Sequence, residues 1–270
     1  MKNCRKLISI VSPLFSREEI MRALVVLIAF LFAAPAVAQE KHVATDASVR
    51  MLFNFKAPDG AVQKLLPPGW QVDAPTSGPA AGANLRITFI EFVWAHDAQG
   101  KPQSSTVRVI TIGVPVKMQG ADTRGVMLFG GFTTGAAPGV YGVFAKSSVT
   151  SQRTFRTGPD GVATVEEAWD AKSDAGDALQ FQLHYVRGVA AAEKVDVRVY
   201  SGAKPEFYRI YRYTQAQDVV RGAGAASERV KSFTFTAAGP KLAALFNGTE
   251  QLISITALPY YSRQVFLPGS

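Results

Sequence analysis

Leu179-Gln180-Phe181-Gln182-Leu183-His184-Tyr185 alternates large apolar and polar side chains without a break. A strict period of two places Leu179, Phe181, Leu183 and Tyr185 on one face of an extended chain, which is the pattern of a half-buried β-strand. The same reading extends outward. Val195, Val197 and Val199 alternate with Asp196 and Arg198, and Phe207–Tyr213 carries aromatic residues on both faces. Further strands are expected at Val49–Lys56, Asn84–Trp94, Thr106–Met118, Val126–Thr133, Val162–Trp169, Lys231–Thr236 and Leu252–Leu258. The breaks hold Gly, Pro and Asp, and Pro159-Asp160-Gly161 reads as a hairpin turn between Arg153–Thr157 and Val162–Trp169. Only two short helices are expected. One is Ala61–Leu66, capped by Asp59 and stopped by Pro67-Pro68; the other is Lys241–Phe246, between Pro240 and Asn247-Gly248. Many strands at short spacing with few helices predict an all-β chain, an antiparallel barrel or sandwich.

Composition agrees with a packed globule. Of the 270 residues 47% are hydrophobic and 19% charged, which excludes a disordered chain. The N-terminus stands apart. Met21-Arg22, the apolar run Ala23–Ala34 and the small-residue ending Ala36-Val37-Ala38 form a secretory signal pattern, shorter than the roughly 20 apolar residues of a spanning helix. Residues 1–38 are therefore expected to be removed, with Met21 as the expected true start, leaving residues 39–270 as one exported or periplasmic domain. Removal takes out five of the 29 Lys/Arg and two of the 21 Asp/Glu, leaving a net charge of +5, and it takes out Cys4, the single cysteine. No disulfide, thiolate metal site or cysteine nucleophile is then available. The remaining basic residues are scattered among acids, unlike a nucleic-acid-binding surface. His42, His96 and His184 lack metal-ligand spacing, and neither a metal nor an organic cofactor is expected.

One segment carries candidate chemistry: Gly139-Val140-Tyr141-Gly142-Val143-Phe144-Ala145-Lys146-Ser147-Ser148. A lysine ordinarily titrates near about 10.4, and burial at the end of an apolar strand would free its amine for imine formation with a carbonyl. The bland alternative is a strand-end lysine whose head reaches water.

This segment resembles the lysine-bearing segment of the acetoacetate decarboxylase family. Val62–Trp70, with Leu65-Leu66-Pro67-Pro68-Gly69, is similar to an early motif of that family. Ile112-Gly113-Val114-Pro115-Val116, followed by Gly120 and Gly125, is similar to another, and the resemblance spans Arg50–Pro268. It implies an antiparallel β-barrel enclosing a cavity and a Schiff base on Lys146 that decarboxylates a small β-keto acid. Arg50 or Arg108 would orient the carboxylate, Tyr141 and Phe144 would contact the substrate, and Glu91 would manage protons. The sequence also departs from the family pattern. Ala145 stands where a proline is usual, Ser147 where a second lysine is usual, and Arg108 or Val109 where an acid is frequent. The same barrel without catalysis would be a binding module for a small apolar or carbonyl-bearing ligand, alone or as a homo-oligomer. For export the expected outcome is direct: mass spectrometry of the mature protein should show a chain starting near Gln39, and a chain retaining residues 1–38 would contradict the signal.

Overall fold

The computed structural model describes residues 39–103, 106–223 and 228–269, and Glu40–Pro268 form one compact unit. The expected export signal lies outside the described residues. The strands are β1 (Lys41–Lys56), β2 (Trp70–Val72), β3 (Leu85–Asp97), β4 (Arg108–Met118), β5 (Arg124–Thr133), β6 (Ala145–Thr157), β7 (Ala163–Ser173), β8 (Ala178–Val186), β9 (Ala191–Ser201), β10 (Tyr208–Arg221), β11 (Val230–Ala238) and β12 (Gln251–Leu267). The single α-helix among the described residues, α1, spans Asp59–Leu65.

Strand pairing closes a ring. The order β5-β9-β10-β12-β1-β3-β4 returns to β5 through the β4–β5 ladder from Val109↔Thr133 to Lys117↔Arg124. Beyond β5 the sheet continues as β6-β7-β8-β11, four antiparallel strands that fold back over the outside of the ring. Two junctions are parallel, β5 with β9 and β5 with β6, so the barrel is not antiparallel throughout.

This arrangement explains the alternation in β1. Met51, Phe53 and Phe55 point outward from the ring into the core under the second sheet, while Arg50, Leu52 and Asn54 have the opposite parity and point into the ring. The core between ring and second sheet joins Phe53, Phe89 and Trp169 with Phe181, Leu183, Phe233 and Phe235. Phe53 meets Phe89, Phe181 and Phe233 edge-on at centroid distances of 5.2, 4.7 and 5.2 Å, a geometry that adds about 0.5–1.5 kcal/mol per pair beyond area burial.

Several expectations need correction. α1 starts at Asp59, which does not cap it; the Asp59 carboxylate instead accepts from Lys56 Nζ at 2.6 Å and Asn84 Nδ2 at 2.8 Å. The segment Lys241–Phe246 makes turns rather than an α-helix. Its six residues, fixed by Pro240 and Asn247-Gly248, form single-turn bonds such as Phe246 N–H to Leu242 O at 2.9 Å and bury Leu242 and Leu245. β12 runs well past Leu258, because the register shift around Pro259-Tyr260 absorbs the missing proline donor and pairing resumes at Tyr261↔Ser48. The Pro159-Asp160-Gly161 turn joins β6 and β7 as expected, with Gly161 at φ 77°.

Because Phe53 is fully buried among four other aromatic rings, Phe53→Ala should destabilise the fold by about 3–5 kcal/mol, read as a lower urea midpoint at unchanged slope. A loss below about 1 kcal/mol would show that the ring and the second sheet do not share this core.

Candidate ligand-binding site

The ring encloses a cavity of about 230 Å3 to which all seven of its strands contribute lining side chains. The apolar part of the wall includes Leu52, Ile90, Phe92, Val109, Leu128 and Val199. At one end the segment between β5 and β6 folds over, adding Val140, Tyr141 and Phe144. Gly139 and Gly142, at φ 68° and 70°, provide the left-handed turns on either side of Val140-Tyr141. Tyr141 is 3% exposed, its ring is 5.7 Å from Phe207, and its carbonyl accepts from Ser201 Oγ at 2.6 Å.

The polar part of the lining is strongly one-sided. Arg50, Arg86, Arg209 and Arg263 line the cavity, and no carboxylate does. Asp46 lies beside two of them. Arg263 Nε donates to its Oδ2 at 2.7 Å, and Arg50 Nη2 stands 3.9 Å from its Oδ1. Burial works against the Arg263 charge, yet Asp46 and the Tyr211 and Tyr261 hydroxyls outweigh it and hold its pKa above the ordinary arginine value. Arg50 also donates from Nε to Ser48 Oγ at 2.8 Å and stacks over the Tyr261 ring at 3.3 Å; burial lowers its pKa.

The other two arginines have no carboxylate partner among the described residues. Arg86 donates from Nε to Asn54 Oδ1 at 2.8 Å, and Asn54 in turn donates to Ser254 Oγ at 2.9 Å. No carboxylate meets the terminal amino groups of Arg86 among the described residues, and burial lowers its pKa. Arg209 has its Nε buried without a hydrogen-bond partner. Tyrosines fill the space between the charges. The Tyr141 and Tyr211 hydroxyls share a hydrogen bond at 2.5 Å, and burial, then Tyr211, pushes the Tyr141 pKa well up. Burial, reinforced by Tyr261, raises Tyr213 to about 12, so Tyr141 and Tyr213 are neutral donors at ordinary pH. Chemically the interior is a neutral hydrogen-bonding and apolar wall around uncompensated positive charge. Among the described residues no group of three His, Cys, Asp or Glu side chains is placed to hold a metal ion.

Of the residues singled out in the sequence, Arg50, Tyr141 and Phe144 reach this cavity and Lys146, Glu91 and Arg108 do not. Lys146 is exposed at the start of β6, paired with Thr133. The expected apolar strand before it is a turn-rich segment; β6 begins only at Ala145. In β6 the parity of Ser147 and Val149 faces the core, so Lys146 joins Ser148, Thr150 and Gln152 on the outer face of the second sheet. Its ammonium therefore lacks the apolar burial that imine chemistry requires. Glu91 has the opposite parity from Ile90 and Phe92, and lies outside the ring. There it accepts from Arg108 at 3.1 Å while Arg108 Nε donates to Ser151 Oγ at 2.8 Å. The missed residues Arg86, Arg209, Arg263, Tyr211, Tyr213 and Tyr261 carried one signal: the mixed pattern of β10, where Arg209, Tyr211 and Tyr213 share one face.

The chain matches no family model and no curated protein sequence. Solved structures do match. The enduracididine biosynthesis enzyme MppR complexed with pyruvate superposes with a TM-score of 0.53 at 11% identity, covering 87% of this chain and 91% of that one. An acetoacetate decarboxylase-like enzyme from Sphingomonas wittichii RW1 gives 0.52 at 10% identity, covering 88% and 95%. Shared over nearly nine-tenths of its length at this low identity, the architecture is what the likeness establishes: the chain has the acetoacetate decarboxylase-like fold.

Proposed function

We propose that the chain takes up a small carboxylate inside the seven-strand ring and acts as a ligand-binding protein rather than through a Schiff base on Lys146. The observation that carries this reading is Arg86. Arg86 is half-buried on the cavity wall, where a guanidinium drawn away from water costs free energy unless it is paired, and its side-chain partner there is the neutral amide of Asn54. Its two terminal amino groups form the planar fork that grips a carboxylate through two parallel bonds. The apolar wall of Ile90, Phe92, Val109 and Leu128 would take the rest of a small organic acid. The pyruvate held by MppR supports the same ligand class. The Met21–Ala38 pattern supports action outside the cytoplasm, in the periplasm or beyond.

The imine reading makes a different demand. It needs an amine on the cavity wall, and the lining contains no lysine. The two are separated by titration calorimetry with pyruvate and longer 2-oxo acids, together with borohydride treatment of the mixtures. Arg86→Gln, checked for an unchanged thermal midpoint, should weaken binding about tenfold or more, since bonds to charged groups contribute about 1.5–3 kcal/mol. Lys146→Ala should bind as the parent does, with no reduced adduct on Lys146 in either protein. An adduct that disappears in Lys146→Ala would instead establish the Schiff base.

A further inference from the structure

We infer that the ligand carries two anionic groups, one held by Arg86 and the other by Arg209, on opposite walls of the cavity. The inference rests on the carboxylate reading of this cavity and extends it. Arg86 and Arg209 are the lining arginines that Asp46 does not serve. Asp46 is shared by Arg263, at 2.7 Å, and Arg50, at 3.9 Å, so one carboxylate offsets that pair of charges in part. No carboxylate stands beside Arg86 or Arg209 among the described residues, and two half-buried guanidinium groups facing one cavity call for two negative charges.

Their separation follows from the strands. Arg86 is fixed to Asn54, near the C-terminal end of β1. Arg209 stands on β10, three strands from β3 one way round the seven-strand ring and four the other, so the two arginines face each other across the interior. Its charge also acts on Tyr141, in the segment that folds over one end of the ring. Leu52, Ile90, Leu128, Tyr213 and Tyr261 line the wall between them. The ligand class is therefore a dicarboxylate with an apolar spacer. The Nε of Arg209, buried without a partner, is the donor that its second carboxylate would satisfy once the side chain turns toward it.

The test is calorimetry on the intact protein with succinate, glutarate, adipate and pimelate, each against the monocarboxylate of equal chain length. At one chain length the dicarboxylate should bind about tenfold or more tightly than its partner. Arg209→Gln should erase that preference, weakening dicarboxylates more than monocarboxylates, and Arg209→Lys should restore part of it. Equal binding of mono- and dicarboxylates at every length, with both still weakened by Arg86→Gln, would overturn the two-ended ligand and leave the single-carboxylate reading standing. A preference that survives in a folded Arg209→Gln protein would overturn the role of Arg209. Binding of neither series would overturn both readings. The chain-length comparison on the parent protein decides the matter even if a variant fails to fold.

Discussion

The ladder between β4 and β5 closes the ring, and every other feature of the molecule depends on that closure. Without it the chain would be a single open, strongly twisted sheet with long unpaired edges. With it, one face of seven strands becomes the wall of a cavity and the other becomes the floor of a second core. β5 carries the strain of this position, because it pairs with β4, β6 and β9. Gly131, at φ 151°, shows what that requires: a side chain there would collide with the Ile110 carbonyl on β4 and the Phe144 ring. The same glycine lets Phe144 lie against the strand and cover the end of the cavity.

Closure also explains an apparent conflict in β1 and β3. Both faces of these strands pack against other side chains, yet only the outward one, as far as Glu91 on β3, is apolar. The outward face supplies Phe53, Phe89 and their neighbours to a dry aromatic core, where polar groups would be costly. The inward face carries Arg50, Asn54, Arg86 and Thr88, and a protein selected only for stability would have little reason to keep them there. Part of that polarity is internally satisfied, through Asp46, Ser48, Asn54 and Ser254. The rest is positive charge without a carboxylate at Arg86 and Arg209, together with the buried Nη2 of Arg50, which has no hydrogen-bond partner, and that remainder points to an anionic ligand.

The alternation at Leu179–Tyr185, the hairpin at Pro159–Gly161 and the scarcity of helix were legible as an all-β chain, because burial of one strand face writes itself directly into a period of two. What the period does not record is which face meets which space. Glu91 and Arg108 enter as site residues through the family resemblance, but pairing places them opposite one another outside the ring. For Lys146 the sequence leaves two readings, burial at the end of an apolar strand or a strand-end head in water; its apolar neighbours form the covering segment, β6 starts only after them, and Lys146 is exposed. Arg86 and Arg263 looked like ordinary surface arginines, since a single sequence cannot distinguish an inward polar face from a wet one. Arg50, Tyr141 and Phe144 were found through a family resemblance rather than through periodicity, and the fold bears that resemblance out.

The central claim is that the interior of the ring, and not the neighbourhood of Lys146, is where a ligand binds. A crystal structure of the protein soaked with a bromine-labelled carboxylic acid tests this most directly, since anomalous scattering marks the label independently of interpretation. The account predicts a bromine peak inside the seven-strand ring, with the carboxylate on the fork of Arg86. A peak beside Lys146 on the outer face of the second sheet, with the ring interior filled only by water, would contradict it.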